Sequence, residues 1–165
     1  MLSLEYKRTF WLPGRGVGKA RPRTNFETGA IYTAGNYRDW KDFAIEVIKI
    51  QMTSHLLPAP QPCRVECEYI NFKSSDVDNL LGSVLDALHQ ADYLGGDSAK
   101  YVCDCQGKFA KVRKERNQPK LQGILVKIFP AQIPIIEIPA DIDFAFWGDI
   151  SYTSASGKCR LPTAR

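Results

Sequence analysis

Three aspartates between Ser74 and Lys100, in SSDVDNLLGSVLDALHQADYLGGDSAK, have the residue type and spacing of a metal-binding site. Asp76 and Asp78 are two residues apart, so in an extended chain both side chains point to the same side. Asp97 follows a predicted helix and a glycine-containing turn that is long enough to return it beside them. Crowded carboxylates repel one another, and a hard divalent cation such as Mg²⁺ relieves that repulsion. The stretch therefore predicts a metal site that activates water for phosphoryl transfer.

The same stretch also has a purely structural interpretation. A helix is predicted from about Asn79 to Gln90, with Asp78 or Asn79 as its cap, because apolar residues recur on one stripe. That stripe consists of Leu80, Leu81, Val84, Leu85 and Leu88. Aspartates before a helix are ordinary capping residues, and Gly-Gly-Asp is an ordinary turn. Spacing alone leaves both the metal site and simple capping open.

The segment DVDNLLGSVLDAL, followed by Tyr93 and Asp97, resembles the core motif of the RusA family of Holliday junction resolvases. That motif contains Asp-x-Asp-Asn, then Asp-Ala-Leu, then a turn with two aspartates. A second match is GKARPR at residues 18–23 followed by Ile-Tyr-Thr at 31–33. It is similar to the family's N-terminal Gly-Lys-x-Arg-Pro-Arg element and the short strand after it. Together the matches cover about residues 4–129, in the family's order and separation.

The resemblance implies a Mg²⁺-dependent endonuclease, with Mn²⁺ as a substitute ion, that resolves four-way DNA junctions by paired symmetric nicks. It assigns the catalytic and metal-binding roles to Asp76, Asp78 and Asp97. It further implies a homodimer that needs no small-molecule cofactor and acts in DNA recombination and repair. A cytoplasmic location in a bacterial or phage-infected cell follows from the same resemblance.

The chain departs from the family pattern at the catalytic lysine. That lysine falls four residues after the second aspartate, where this sequence has Gly82. A lysine one helical turn from Asp78 would place positive charge at the transition-state phosphate. Either another cation replaces it, with Lys73, Lys100 and Lys108 the nearest in sequence, or the chain binds branched DNA and cuts it weakly.

Basic residues are concentrated in two segments that suit contact with a DNA backbone. The loop PGRGVGKARPR lacks the spacing of a nucleotide-binding phosphate loop but is rich in cations. The run KFAKVRKERNQPK is predicted to form the tip of a hairpin that leads into an apolar strand at residues 121–129. The DNA-binding candidates are Lys19, Arg21, Arg23, Lys73, Lys100, Lys108, Lys111 and Arg113. For both segments, a solvated surface loop is the alternative.

Composition indicates one soluble domain. The 165 residues are 44% hydrophobic and 24% charged, enough for a core, and the net charge of +4 is compatible with nucleic acid. No signal peptide or long apolar run is present, so no membrane association is expected. The five cysteines predict reduced thiols, although four on two strands could in principle bind zinc.

Periodicity predicts an α+β fold for residues 1–130. Alternating residues predict strands at 3–12, 63–72, 99–109 and 121–129, and helical spacing predicts a helix at 37–54 before the one at 79–90. We expect a single domain with a mixed sheet of four or five strands and two main helices. Residues 131–165 are expected to be a C-terminal extension, partly disordered or packed on the domain or on a partner subunit. A non-enzymatic, replication-associated binding module is the remaining alternative.

Overall fold

The structure is a computed structural model. It describes residues 8–19, 23–24, 27–29, 31–32, 35–52, 59–73, 75–112, 121–136, 151–153 and 158–160. Contacts divide the chain into two compact units, residues 1–133 and 134–165. The first unit carries all the residues that the sequence assigns to chemistry or DNA contact, and it is described first.

The first unit is an α+β fold with a four-stranded mixed sheet, as predicted. Its elements in chain order are β1 (Arg8–Pro13), β2 (Arg23–Thr24), β3 (Ile31–Tyr32), α1 (Gly35–Gln51), β4 (Cys63–Ile70), α2 (Val77–Gln90), β5 (Val102–Ala110) and β6 (Gly123–Pro130). Within the part of the chain that the structure describes, the short strands β2 and β3 form a separate two-stranded sheet. The two helices and the four strands of the main sheet lie where periodicity predicts them, within a few residues at their described ends, and residues 3–7 of the first predicted strand lie outside the described residues.

The main sheet has the strand order β1-β6-β4-β5. β6 pairs antiparallel with both β1 and β4, whereas β4 and β5 are parallel. Parallel neighbours need a crossover connection, and α2 provides it. The predicted hairpin between the last two strands is wrong, because β4 lies between β5 and β6. Most of its basic tip, residues 113–120, lies outside the described residues.

Both helices pack on one face of the sheet. Alternating side chains of β1, β4 and β6 are buried there, as in β4, where Cys63, Val65, Cys67 and Tyr69 face the core. In β5 the buried residue is Val102. The helices bury their own stripes: Tyr37, Trp40, Ala44 and Ile48 from α1, and Leu80, Ser83, Val84, Ala87 and Leu88 from α2. Burial of each large apolar side chain contributes about 1.5–3 kcal/mol, so this face fixes the position of α2.

Gly107 of β5 sets how closely the start of α2 approaches the sheet. A Cβ atom added there would lie 2.7 Å from Cγ2 of Val77 and 3.1 Å from Cε2 of Tyr69. The first residue of α2 therefore occupies the space that a side chain at position 107 would need. This contact places the beginning of α2 over the second half of β5.

We expect Gly107→Ala to lower the free energy of unfolding by about 1–3 kcal/mol, because the added methyl group overpacks the start of α2. Urea unfolding measures the effect. Gly35→Ala is the matched control, since a Cβ at Gly35 has no heavy atom within 4 Å. Equal stability of Gly107→Ala and the native chain would contradict this packing.

The second unit contains one described antiparallel pair, β7 (Ser151–Thr153) and β8 (Lys158–Arg160). The prediction that residues 131–165 are a C-terminal extension, partly disordered or packed on the domain or on a partner subunit, stays a prediction, because most of these residues lie outside the described part of the chain. Among the residues that the structure describes, no helix is long and apolar enough to span a membrane.

Candidate functional site

Asp76 and Asp78 lie where the chain leaves β4 and enters α2. Asp76 is the N-cap of the helix, with φ −81° and ψ 126°, and its side chain makes no capping hydrogen bond. Its Oδ2 instead accepts a hydrogen bond of 3.2 Å from Nδ2 of Asn79. The prediction that Asp78 or Asn79 caps the helix is therefore wrong, and Asp78 belongs to the first turn. Both carboxylates are exposed at the positive end of the helix dipole.

The pair Asp76 and Asp78 fits a hard divalent cation in its donor chemistry. Mg²⁺ is commonly bound through one or two carboxylates together with substrate phosphates. Within the described ranges, the four ion pairs use neither of these aspartates. No three His, Cys, Asp or Glu side chains in those same ranges form a group that could hold a metal ion. The arrangement is thus a pair of exposed carboxylates, to which substrate phosphate oxygens could add further metal ligands.

Asp97 lies at the other end of α2. After the helix, the backbone NH groups of Tyr93 and Leu94 donate to the carbonyl of Leu88 at 3.1 and 3.3 Å, and both side chains are buried. β5 then begins beside the start of β4. The 14 residues of α2 span about 21 Å. The turn therefore does not return Asp97 to the other two aspartates within one chain, and its role in metal binding stays a prediction from the resemblance.

The loop that follows β1, described for residues 14–19 and called the N-terminal loop below, crosses α2 close to Asp76 and Asp78. The backbone NH of Lys19 donates to the carbonyl of Asn79 at 2.9 Å. A Cβ atom added at Gly82 would lie 3.5 Å from Cδ and 4.0 Å from Cβ of Lys19. The aliphatic part of Lys19 thus covers Gly82, the position at which the family resemblance places a lysine.

The ammonium group of Lys19 is held by Asp86. Nζ of Lys19 lies 3.1 Å from the Asp86 carboxylate, and the hydroxyl of Tyr37 donates to Oδ2 of Asp86 at 2.6 Å. Burial is the largest cause that raises the pKa of Tyr37, and the hydrogen bond to the Asp86 carboxylate raises it further. Tyr37 therefore stays protonated and remains a donor at neutral pH.

This arrangement was not predicted. The sequence predicted Lys19 as a DNA-contacting residue of a basic loop and did not predict its pairing with Asp86. The signal that was available is the spacing of Asp78, Gly82 and Asp86, which are four residues apart and share one helix face.

The cations predicted to replace the missing lysine are engaged elsewhere or exposed. Lys108 pairs with Glu68 at 2.9 Å, and Nζ of Lys100 lies 5.3 Å from the centre of the Tyr101 ring. Lys73 and Lys111 are exposed. Of the other DNA-binding candidates, Arg23 is described only through its backbone in β2, and Arg21 and Arg113 lie outside the described residues.

The ion pair of Lys108 lies on the sheet face opposite the helices. Glu68 accepts from Lys127 at 2.7 Å and from Lys108 at 2.9 Å. These hydrogen bonds hold the pKa of Glu68 below its ordinary value of 4.5, and the bond from Lys127 has the larger effect. Glu68 is therefore a structural residue and not an additional ligand of the aspartate site.

We expect the contribution of Glu68 to stability to depend on pH. Its folded-state pKa is lower than the unfolded value, so ionised Glu68 stabilises the fold above that value and loses this effect as the pH falls through the folded-state pKa. Glu68→Gln should lower the free energy of unfolding by at most about 1 kcal/mol at neutral pH and by less at about pH 3. Urea unfolding at both pH values, with the exposed Glu46→Gln as control, measures this. Equal losses at both pH values would contradict the assignment.

Four cysteines lie on the adjacent strands β4 and β5. Burial raises the pKa of Cys67 to about 12 and that of Cys63 to about 11. Among the described residues the cysteines form no metal-binding group, and the zinc interpretation has no support.

Comparison with known families gives one match. Residues 13–122 match the family model described as Endodeoxyribonuclease RusA. The matched region covers more than half of the chain and includes the aspartate pair, Lys19 and the whole of α2. No curated protein matches the chain significantly.

Proposed function

This chain belongs to the RusA family of endodeoxyribonucleases, and we propose that it resolves four-way DNA junctions by metal-dependent paired nicks. The family match supports a junction-resolving endonuclease in general. The observation that carries the finer proposal is the pair of exposed carboxylates, Asp76 and Asp78, at the start of α2 inside the matched region.

In this proposal Asp76 and Asp78 hold Mg²⁺ or Mn²⁺. The ion, when bound, supplies an activated water and neutralises charge on the phosphate. The protein contributes the rigid placement of the two carboxylates, because the start of α2 is packed on β5 through Val77. Their exposure leaves a DNA backbone free to approach both side chains.

DNA contact is proposed for Lys19 and for the other cations that the sequence predicted to bind DNA. Neutralising backbone phosphates releases counterions, so binding should weaken as salt rises. The further candidates stay predictions: Arg21, Arg23, Lys73, Lys100, Lys111 and Arg113. Lys108 is the weakest of the set, since its ammonium group is already paired with Glu68.

A homodimer is part of the proposal because of the substrate. A two-fold symmetric dimer presents two copies of one site, which suits a junction that must be cut at two symmetric positions. The remaining metal ligand predicted from the resemblance, Asp97, lies at the far end of α2 from the aspartate pair of its own chain. Its contribution is therefore tested separately from that of the pair.

A second candidate is a junction-binding protein that cuts weakly. The observation in its favour is Gly82, which supplies no charge where the resemblance places the catalytic lysine. Gly82→Lys would then raise cleavage strongly, and the native chain would bind junctions tightly with little cutting.

We expect Asp76→Asn and Asp78→Asn each to reduce junction cleavage by at least about 100-fold, since loss even of residues that only support metal ligands costs about 10–100-fold. The assay compares a labelled four-way junction with linear duplex, with and without Mg²⁺. Titration calorimetry with Mg²⁺ alone gives an independent measure, in which both variants should lose binding.

Asp42→Asn is the matched control, because Asp42 is an exposed aspartate on α1. It should cleave like the native chain. Metal-independent cleavage, or full activity in both site variants, would contradict the proposed function. Asp97→Asn in the same assay shows whether the third aspartate is required.

A further inference from the structure

We propose that Lys19 is the cation that binds the reacting phosphate beside Asp78, and that Asp86 and Tyr37 position it. This inference rests on the proposed function, because it concerns the same site. It differs from the expectation that a lysine near the aspartates in sequence fills the place left by Gly82.

The first observation is the path of Lys19 across α2. Its backbone is anchored on the carbonyl of Asn79 at 2.9 Å. Gly18, just before it, is equally close to the helix, since a Cβ there would lie 3.1 Å from Cβ of Asn79. The loop is therefore seated on the first turns of α2, next to Asp78.

The second observation is the place of Gly82 along the helix face. Gly82 is four residues from Asp78 and four from Asp86, so each lies about 6 Å away along the helix axis. The Cβ and Cδ atoms of Lys19 lie over this glycine. The flexible stem of a lysine can thus direct the ammonium group towards either aspartate.

The third observation is the exposed ion pair that the ammonium group of Lys19 forms. It pairs with Asp86 at 3.1 Å, with 52% of the Lys19 side chain and 21% of the Asp86 side chain exposed. An exposed ion pair of this kind contributes little to stability. A phosphate bound at the proposed metal site beside Asp78 offers Lys19 a strong charge-assisted hydrogen bond. The ammonium group can therefore leave Asp86 and bind the phosphate.

Tyr37 limits the freedom of Asp86 in this exchange. Its hydroxyl donates to Oδ2 of Asp86 at 2.6 Å, and Nζ of Lys19 lies 3.1 Å from both oxygens of the same carboxylate. The bond from Tyr37 therefore holds Asp86 in place whether or not Lys19 is paired with it. Two of the cations expected to replace the missing lysine are engaged elsewhere: Lys108 is held by Glu68 on the opposite face of the sheet, and Lys100 lies over the Tyr101 ring.

The first test is Lys19→Met, which keeps the stem and removes the charge. Single-turnover cleavage of a four-way junction should fall by about 100-fold, the loss typical when one group that stabilises a transition state is removed. Binding of Mg²⁺ alone should be unchanged, and Lys19→Arg should recover part of the rate. Lys49→Met, which removes an exposed lysine from α1, is the control and should cleave normally.

The second test moves the charge to the helix. In Lys19→Met/Gly82→Lys the backbone of α2 can accept a side chain at position 82, because a Cβ at Gly82 lies at an ordinary contact distance of 3.5 Å from its nearest neighbour, Cδ of Lys19. Cleavage should return towards the native rate, whereas Lys19→Met/Gly82→Met should stay impaired. Asp86→Asn and Tyr37→Phe should give intermediate rates, with thermal unfolding confirming that each variant is folded.

The outcomes separate this inference from the proposed function. If the native chain cleaves and Lys19→Met cleaves like Lys49→Met, the role of Lys19 is overturned and the aspartate site stands. Failure of the lysine at position 82 to restore a folded, impaired Lys19→Met chain would also overturn it. Absence of metal-dependent cleavage by the native chain would overturn the proposed function and this inference with it.

Discussion

The parallel pairing of β4 with β5 is the constraint on which the rest of the structure depends. Because parallel strands cannot be joined by a tight turn, α2 must cross the sheet from one end to the other. Its buried residues, among them Leu80, Val84 and Leu88, fix that crossing on the core face. The crossing places Asp76 and Asp78 at one end of the sheet and Asp97 at the other.

The outer face of α2 is then available to the N-terminal loop. That face carries Asp78, Gly82 and Asp86, and the small residue in the middle is covered by the stem of Lys19. Two carboxylates from the helix start and one cation from a distant loop are brought to the same surface. The chemistry expected of the family can therefore be assembled here without a lysine on the helix itself.

Local sequence patterns predicted the positions of the helices and strands better than they predicted which strands lie side by side. Alternation and helical spacing located the four main strands and both helices. Strand order was missed, because hydrophobic alternation does not specify which strand lies beside another. The sequence predicted that Asp97 returns beside Asp76 and Asp78, because the loop before it is long enough. In the structure that loop is bound to the end of α2 by the backbone hydrogen bonds of Tyr93 and Leu94. The bond between Lys19 and Asp86 joins residues 67 positions apart, which no local pattern encodes.

The most direct test of the central claim is to locate a bound divalent ion on the native chain. Paramagnetic Mn²⁺, titrated into ¹⁵N-labelled protein, broadens the amide signals of residues near its binding site. We expect saturable broadening of residues 76–79 first, accompanied by Gly18 and Lys19, whose backbone is seated on the same turn of α2. Broadening centred on another segment, or none that saturates, would contradict a metal site at the start of α2.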